Sequence, residues 1–195
     1  MATFKQKILQ FLYPLIRKAS KSGKNGTVII NENNATSIVS FYQQKATLNN
    51  GNPIDFSVYS GKKVLIVNTA SNCGYTGQYA ELQKLHKKLG DKLVIIAFPS
   101  NDFAEQEKSS DNEISQFCQI NYGVTFPIAK KGVVVKNKEQ QPIFKWLTDS
   151  RANGWNSHQP DWNFSKYVID EKGNLTNYFG PSISPLDSEF LKAVE

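Results

Sequence analysis

Two apolar runs flanking one amphipathic helix constrain this chain more than any other feature. The first, Lys63 to Thr69 with Ala70 following, is apolar almost throughout, and Lys92 to Phe98 repeats the pattern. Runs of that length without polar alternation suit strands buried on both faces. Between them, Tyr79, Leu82, Leu85 and Leu89 share one helical face while Lys84, Lys87 and Lys88 lie outside it. Gly90 stands where a helix ends, and Pro99 stops the second run. Strand, helix, strand at this spacing is a βαβ unit, so the two strands are expected to be parallel.

The flanking segments complete the pattern. Lys45-Ala46-Thr47-Leu48, a turn at Asn49-Asn50-Gly51-Asn52 and Ile54-Asp55-Phe56 read as a hairpin, because Asn and Gly tolerate the positive φ of a tight turn. A helix is expected over 111–121, with Asp111 as its N-cap and Glu113 in its first turn. A short helix follows over 142–148. Lys166–Asp170 and Leu175–Phe179 read as a second hairpin, and 186–194 as a closing helix. The expected class is α/β with a thioredoxin-like fold: a mixed central sheet, helices on both faces and an N-terminal β-hairpin. The expected organisation is an amphipathic helix and linker over 1–35, then one domain over 36–195.

A chain of 195 residues can bury a core without staples. Two cysteines argue against a disulfide scaffold and fit a reducing compartment, so a cytoplasmic location is expected. The net charge of +6 comes from scattered lysines rather than the clustered patch that nucleic-acid binding wants. No apolar run approaches the ~20 residues of a membrane span. Near the N-terminus, Phe4, Ile8, Phe11, Leu12, Leu15 and Ile16 repeat at helical spacing among Lys5, Lys7, Arg17, Lys18 and Lys21. Pro14 and Arg17 interrupt the apolar centre an export signal would need. A helix packed on the domain is the first reading, and a membrane-surface helix the second. Ser22 to Asn34 reads as a linker, with Val28-Ile29-Ile30 its one strand candidate.

Cys73 follows the first buried strand and precedes the helix. Most isolated cysteines are small buried hydrophobes. A thiol at a strand-to-helix turn, however, lies near free backbone N–H groups and the positive end of a helix dipole, which favour the thiolate. The loop after the second strand carries Gln106, on the sheet edge where α/β sites gather. Trp162 and Asn163 precede the late hairpin. Each has a bland alternative: solvated loop, core aromatic, turn residue. Together they are neutral hydrogen-bonding groups that could stabilise a sulfur anion.

Three segments resemble the glutathione peroxidase family in its order: Val67-Asn68-Thr69-Ala70-Ser71-Asn72-Cys73-Gly74-Tyr75-Thr76, then Phe98-Pro99-Ser100-Asn101-Asp102-Phe103-Ala104-Glu105-Gln106-Glu107, then Asp161-Trp162-Asn163-Phe164-Ser165-Lys166-Tyr167. The resemblance runs from about Ser40 to the C-terminus and is to the cysteine-containing, non-selenium branch. It implies that Cys73 is the peroxidatic residue and that Gln106, Trp162 and Asn163 complete the catalytic tetrad. The implied reaction is reduction of hydrogen peroxide and organic hydroperoxides, through a sulfenic acid, with thioredoxin or glutathione as reductant. Ser100, Asp102 and Ala104 stand where the family commonly has Cys, Gln and Gly. The 33 positions from Cys73 to Gln106 are slightly fewer than the family pattern. The insertion of tetrameric animal members is not evident, so a monomer is expected.

Thioredoxin-using members carry a resolving cysteine in the helix after this loop. Cys118 aligns one residue before that position, and one residue is about 100° around a helix. Cys118 therefore reads either as a resolving thiol or as a buried structural one. No metal or organic cofactor is implied, since His86 and His158 lack partners at ligand spacing. A thioredoxin-type reductase would need a second cysteine near Cys73, and a peroxiredoxin a closer threonine than Thr69. A non-enzymatic redox sensor using the same thiol remains the rival from another class.

Overall fold

The computed structural model describes residues 3–195. In chain order its elements are α1 (Phe4–Ser20), β1 (Val28–Ile30), β2 (Ala46–Thr47), β3 (Pro53–Ile54), β4 (Lys63–Thr69), α2 (Gln78–Leu89), β5 (Leu93–Pro99), α3 (Asp111–Tyr122), α4 (Pro142–Leu147), α5 (Ser150–Asn153), β6 (Lys166–Ile169), β7 (Leu175–Phe179) and α6 (Ser188–Val194). β4 and β5 are parallel with Lys63 opposite Leu93, as a βαβ connection requires. The main sheet runs β1-β7-β6-β4-β5, and every other pairing in it is antiparallel. β2 and β3 form a separate short hairpin.

The continuous apolar character of β4 and β5 follows from covering both faces of the sheet. Leu65, Val67, Ile95 and Ala97 pack with Tyr13 of α1, Leu82 of α2, Ile114 of α3 and Phe190 of α6. Val64, Ile66, Ile96 and Phe98 pack on the other side with Phe41, Phe56, Phe144 and Trp146. Successive strand residues point to opposite faces, so both sets must be apolar.

Several ends differ from expectation. Ser110, not Asp111, caps α3: its side chain accepts from Glu113 N, and the Glu113 carboxylate accepts from Ser110 N. The Asp111 carboxylate instead accepts from Lys131 N at 2.7 Å. Gly90 ends α2 in a right-handed conformation, whereas Gly123 ends α3 with φ 62°, where a Cβ is disfavoured. The closing helix starts at Ser188, two residues late, after Asp187, whose carboxylate pairs with Arg17 and Lys21. α5 is a single turn that no periodic pattern announces.

The stretch expected as a linker contributes β1, which pairs with β7 at the sheet edge. α1 lies against the loop that follows β4. Gln6 closes a capping box with Thr3 and also donates from Nε2 to Ser71 O at 3.2 Å. The Tyr13 hydroxyl donates to Glu81 at 2.7 Å. A Cβ on Gly77 would stand 2.9 Å from the Tyr13 ring, so glycine there permits the close approach. Among the described residues, no helix is long and apolar enough to cross a membrane.

Candidate active site

β4 delivers the chain to a compact turn before α2. Thr76 organises it: its hydroxyl accepts from Cys73 N at 3.1 Å and lies 2.7 Å from Cys73 O and 3.0 Å from Ala70 O. Thr76 N donates to Cys73 O. The turn aims Tyr75 N at Cys73 Sγ, at 3.4 Å. Cys73 is 1% exposed. α2 starts at Gln78, with Gly77 as its N-cap, so the helix end lies one turn beyond Cys73.

The late loop comes back over this turn. Phe164 N donates to Asn68 O at 2.6 Å, and Asn68 Nδ2 donates to Trp162 O at 3.1 Å. β4 thereby holds both ends of the Trp162-Asn163-Phe164 segment. Phe164 adopts φ 69°, a left-handed conformation costly for a residue with a Cβ and held here by its buried ring. Trp162 and Asn163 lie beside the Cys73 sulfur and favour its ionised form. Asn163 is fully buried and also donates from Nδ2 to Gln106 Oε1 at 3.0 Å. The Trp162 ring leans on Phe103, 5.4 Å between centroids. Three of the sequence candidates therefore meet directly, and Gln106 joins them through Asn163. Gln106 and Trp162 are half-buried, which leaves the cluster open on their side.

The donors expected to favour the Cys73 thiolate do act on it, but burial outweighs them. Burial pushes the thiol up to about 11, outweighing the hydrogen bonds from Tyr75 N, Trp162, Asn163 and Gly74 N that pull it down. Ionisation of this thiol costs more than in water. The surrounding donors lessen that cost without removing it.

Two neighbours carry weight that motif reading alone did not assign. Glu107 is fully buried, and its Oε2 accepts from Ser71 N at 2.8 Å and Ser71 Oγ at 2.7 Å. Asn72 N donates to Gln106 O beside it. This ties the β5 loop to the Cys73 loop. Burial raises the Glu107 carboxyl, against the Ser71 hydrogen bonds. Lys166 is fully buried below the late loop, donating to Phe164 O at 2.6 Å and Gly180 O at 3.3 Å. Burial pushes its ammonium down to about 7, opposed by the charges of Glu81 and Asp187. A carboxylate next to Gln106 and a lysine inside an apolar strand were the available signals: buried charges need partners.

Cys118 faces inward from α3 and is fully buried in the same apolar core as Cys73. Its thiol meets the Tyr79 hydroxyl, and burial, with Glu107 adding to it, pushes it up to about 12. Both cysteines are free. Among the described residues, no group of three or more His, Cys, Asp or Glu side chains is placed to hold a metal ion.

The family model for glutathione peroxidase matches residues 41–148. The glutathione peroxidase-like peroxiredoxin HYR1 of Saccharomyces cerevisiae is 42% identical over 161 residues, covering 80% of this chain and 98% of its own. The crystal structure of Trgpx in its apo form superposes with a TM-score of 0.61 at 30% identity, covering 81% of this chain and 97% of that one. A DsbF homologue from Corynebacterium diphtheriae reaches the same TM-score at 18% identity, covering 90% and 94%. That last likeness is one of fold alone, and it is the thioredoxin-like fold.

Proposed function

The chain belongs to the glutathione peroxidase family and is a thiol-dependent peroxidase; from that premise we propose that Cys73 is its peroxidatic residue and that Trp162, Asn163 and Gln106 assist it. The observation that carries this reading is the meeting at one buried sulfur of Tyr75 N from its own turn with Trp162 and Asn163 from the late loop, Gln106 of the β5 loop being braced on Asn163.

The chemistry follows from the electrostatics. The resting group is a thiol, so its proton must leave as the S–O bond forms. The sulfur electron pair attacks one peroxide oxygen and the O–O bond breaks. The thiol proton ends on the departing oxygen, giving water from hydrogen peroxide or an alcohol from an organic hydroperoxide. Cys73 is left as a sulfenic acid. Donors fixed in advance around the sulfur stabilise the charge that develops during this transfer. Asn163 Oδ1 is buried and without a hydrogen-bond partner among the described residues, which supports a role for it as acceptor from the incoming O–H. Two thiols then return the sulfenic acid to thiol, releasing water and a disulfide.

Either an external thiol such as glutathione supplies both, or Cys118 resolves and a thioredoxin-like protein reduces the resulting disulfide. One observation favours the second route. Of the twelve residues of α3, only Ile114 and Cys118 are buried. A helix so lightly anchored opens locally at low cost, which would release Cys118 toward Cys73. The free thiols and a reductant-driven cycle fit the cytoplasm, and a single copy contains every group invoked.

Cys73→Ser is expected to abolish steady-state peroxide consumption while leaving the melting temperature near that of the parent. Turnover like the parent's refutes the assignment. Cys118→Ser is expected to slow turnover with thioredoxin and spare turnover with glutathione; equal rates with thioredoxin would leave Cys118 a core residue. A single oxidation without turnover under either reductant would make the protein a sensor.

A further inference from the structure

α1 has two apolar faces, and the domain uses one. Tyr13 and Ile16 pack inward, with Gln6 bonded to Ser71. On the opposite side Phe4 is 80% exposed, Ile8 42%, Phe11 83% and Leu15 65%. Their spacing of four, three and four residues keeps them within about 60° of one another around the helix. Packing of α1 therefore does not account for this outer stripe.

Charge identifies what the stripe meets. Residues 1–31 contain five lysines, one arginine and no aspartate or glutamate, while the other 17 basic residues are matched by 17 acidic ones. The entire net charge of +6 thus resides in the segment that carries the stripe. Arg17 and Lys21 pin α1 to Asp187 and Glu189. Lys7 and Lys18 stand in solvent along one border of the stripe. Phenylalanine and leucine flanked by lysine, on a helix not long and apolar enough to span a bilayer, match an in-plane interfacial helix.

We propose that the outer face of α1 is a docking surface for an anionic lipid bilayer. The phenylalanines enter the acyl boundary and the lysines meet the anionic headgroups. Because the inner face of α1 touches Ser71, Gly74 and Gly77, the bilayer would lie about one helix diameter, ~10 Å, from the Cys73 loop. The proposal stands apart from the thiol chemistry.

The test is co-sedimentation of the full chain with phosphatidylcholine vesicles, with and without phosphatidylglycerol, at low and high salt. The expected result is binding that requires phosphatidylglycerol and weakens with salt. The double variant F4S/F11S should bind about a hundredfold more weakly, tenfold per phenylalanine. K7E/K18E should lose the preference for phosphatidylglycerol, and both variants should consume hydrogen peroxide like the parent. Absence of vesicle binding, or equal binding by F4S/F11S, overturns the proposal. So does a dimer of the parent that F4S/F11S dissociates, since the stripe would then hold a second copy.

Discussion

The two thiols are almost equally buried and very differently surrounded. Cys73 sits at a sheet edge among a backbone N–H, an indole and a carboxamide, beside half-buried side chains. Cys118 sits under α3 with one tyrosine hydroxyl for company and a carboxyl that opposes its ionisation. Burial raises both, one to about 11 and the other to about 12. Burial alone therefore does not separate a reactive cysteine from an inert one. The difference lies in donors already aimed where charge will develop, which act most strongly during the reaction rather than at rest.

The strongest way to break this comparison is to remove the donors. Trp162→Phe and Asn163→Ala are each expected to lower kcat/KM for hydrogen peroxide by about 10²-fold, the scale for losing one donor to a developing anion. Stopped-flow peroxide consumption reads the effect. If both variants react like the parent, Cys73 has no advantage over Cys118 beyond position.

A titration sharpens it. Thiolate absorbance of the Cys118→Ser variant should rise near pH 11, not near the ordinary thiol value of 9. The sign for stability follows. Between those values the unfolded thiol has lost its proton and the folded one keeps it. Stability from this group is full below pH 9 and is lost as pH rises through about 11. Lys166 runs oppositely. With its folded value pushed down to about 7, the unfolded chain binds more protons above that, so its contribution to stability rises from about pH 7 toward 10.5. Lys166→Met should flatten that rise in chemical denaturation; an unchanged profile would show that the buried ammonium keeps its proton.

The smallest effect concerns the loop that presents Gln106. Ala104 and Glu105 adopt φ 49° and 52°, left-handed conformations that disfavour a Cβ. Ala104 stands where the family commonly has glycine, and the backbone explains that preference. Ala104→Gly is expected to stabilise the fold by about 1 kcal/mol, measured by urea denaturation. Destabilisation would mean that the larger entropy loss of glycine outweighs the relieved strain.

Much of this was legible in the sequence where one physical requirement dominates. β4 is read to the residue because both its faces are buried, and β7 because its turn at Lys172-Gly173 is unambiguous. The four site candidates were legible as residue types on loops that the fold brings together. The ionisation of Cys73 was not, because its environment is built by Tyr75, Trp162 and Asn163, two of which lie some 90 positions away. Gln106 acting through Asn163 was hidden for the same reason. Ser110 displaced Asp111 as a cap because Lys131, twenty residues on, claims the Asp111 carboxylate. The outward stripe of α1 was visible as periodicity, but only packing reveals which apolar face the domain leaves uncovered.

The most direct test of the central claim is to treat the reduced protein with one equivalent of hydrogen peroxide in the presence of dimedone and locate the adduct by mass spectrometry. The account predicts an adduct on Cys73 in the parent and in Cys118→Ser, and none on Cys118 in Cys73→Ser. An adduct on Cys118 with Cys73 unmodified would contradict it.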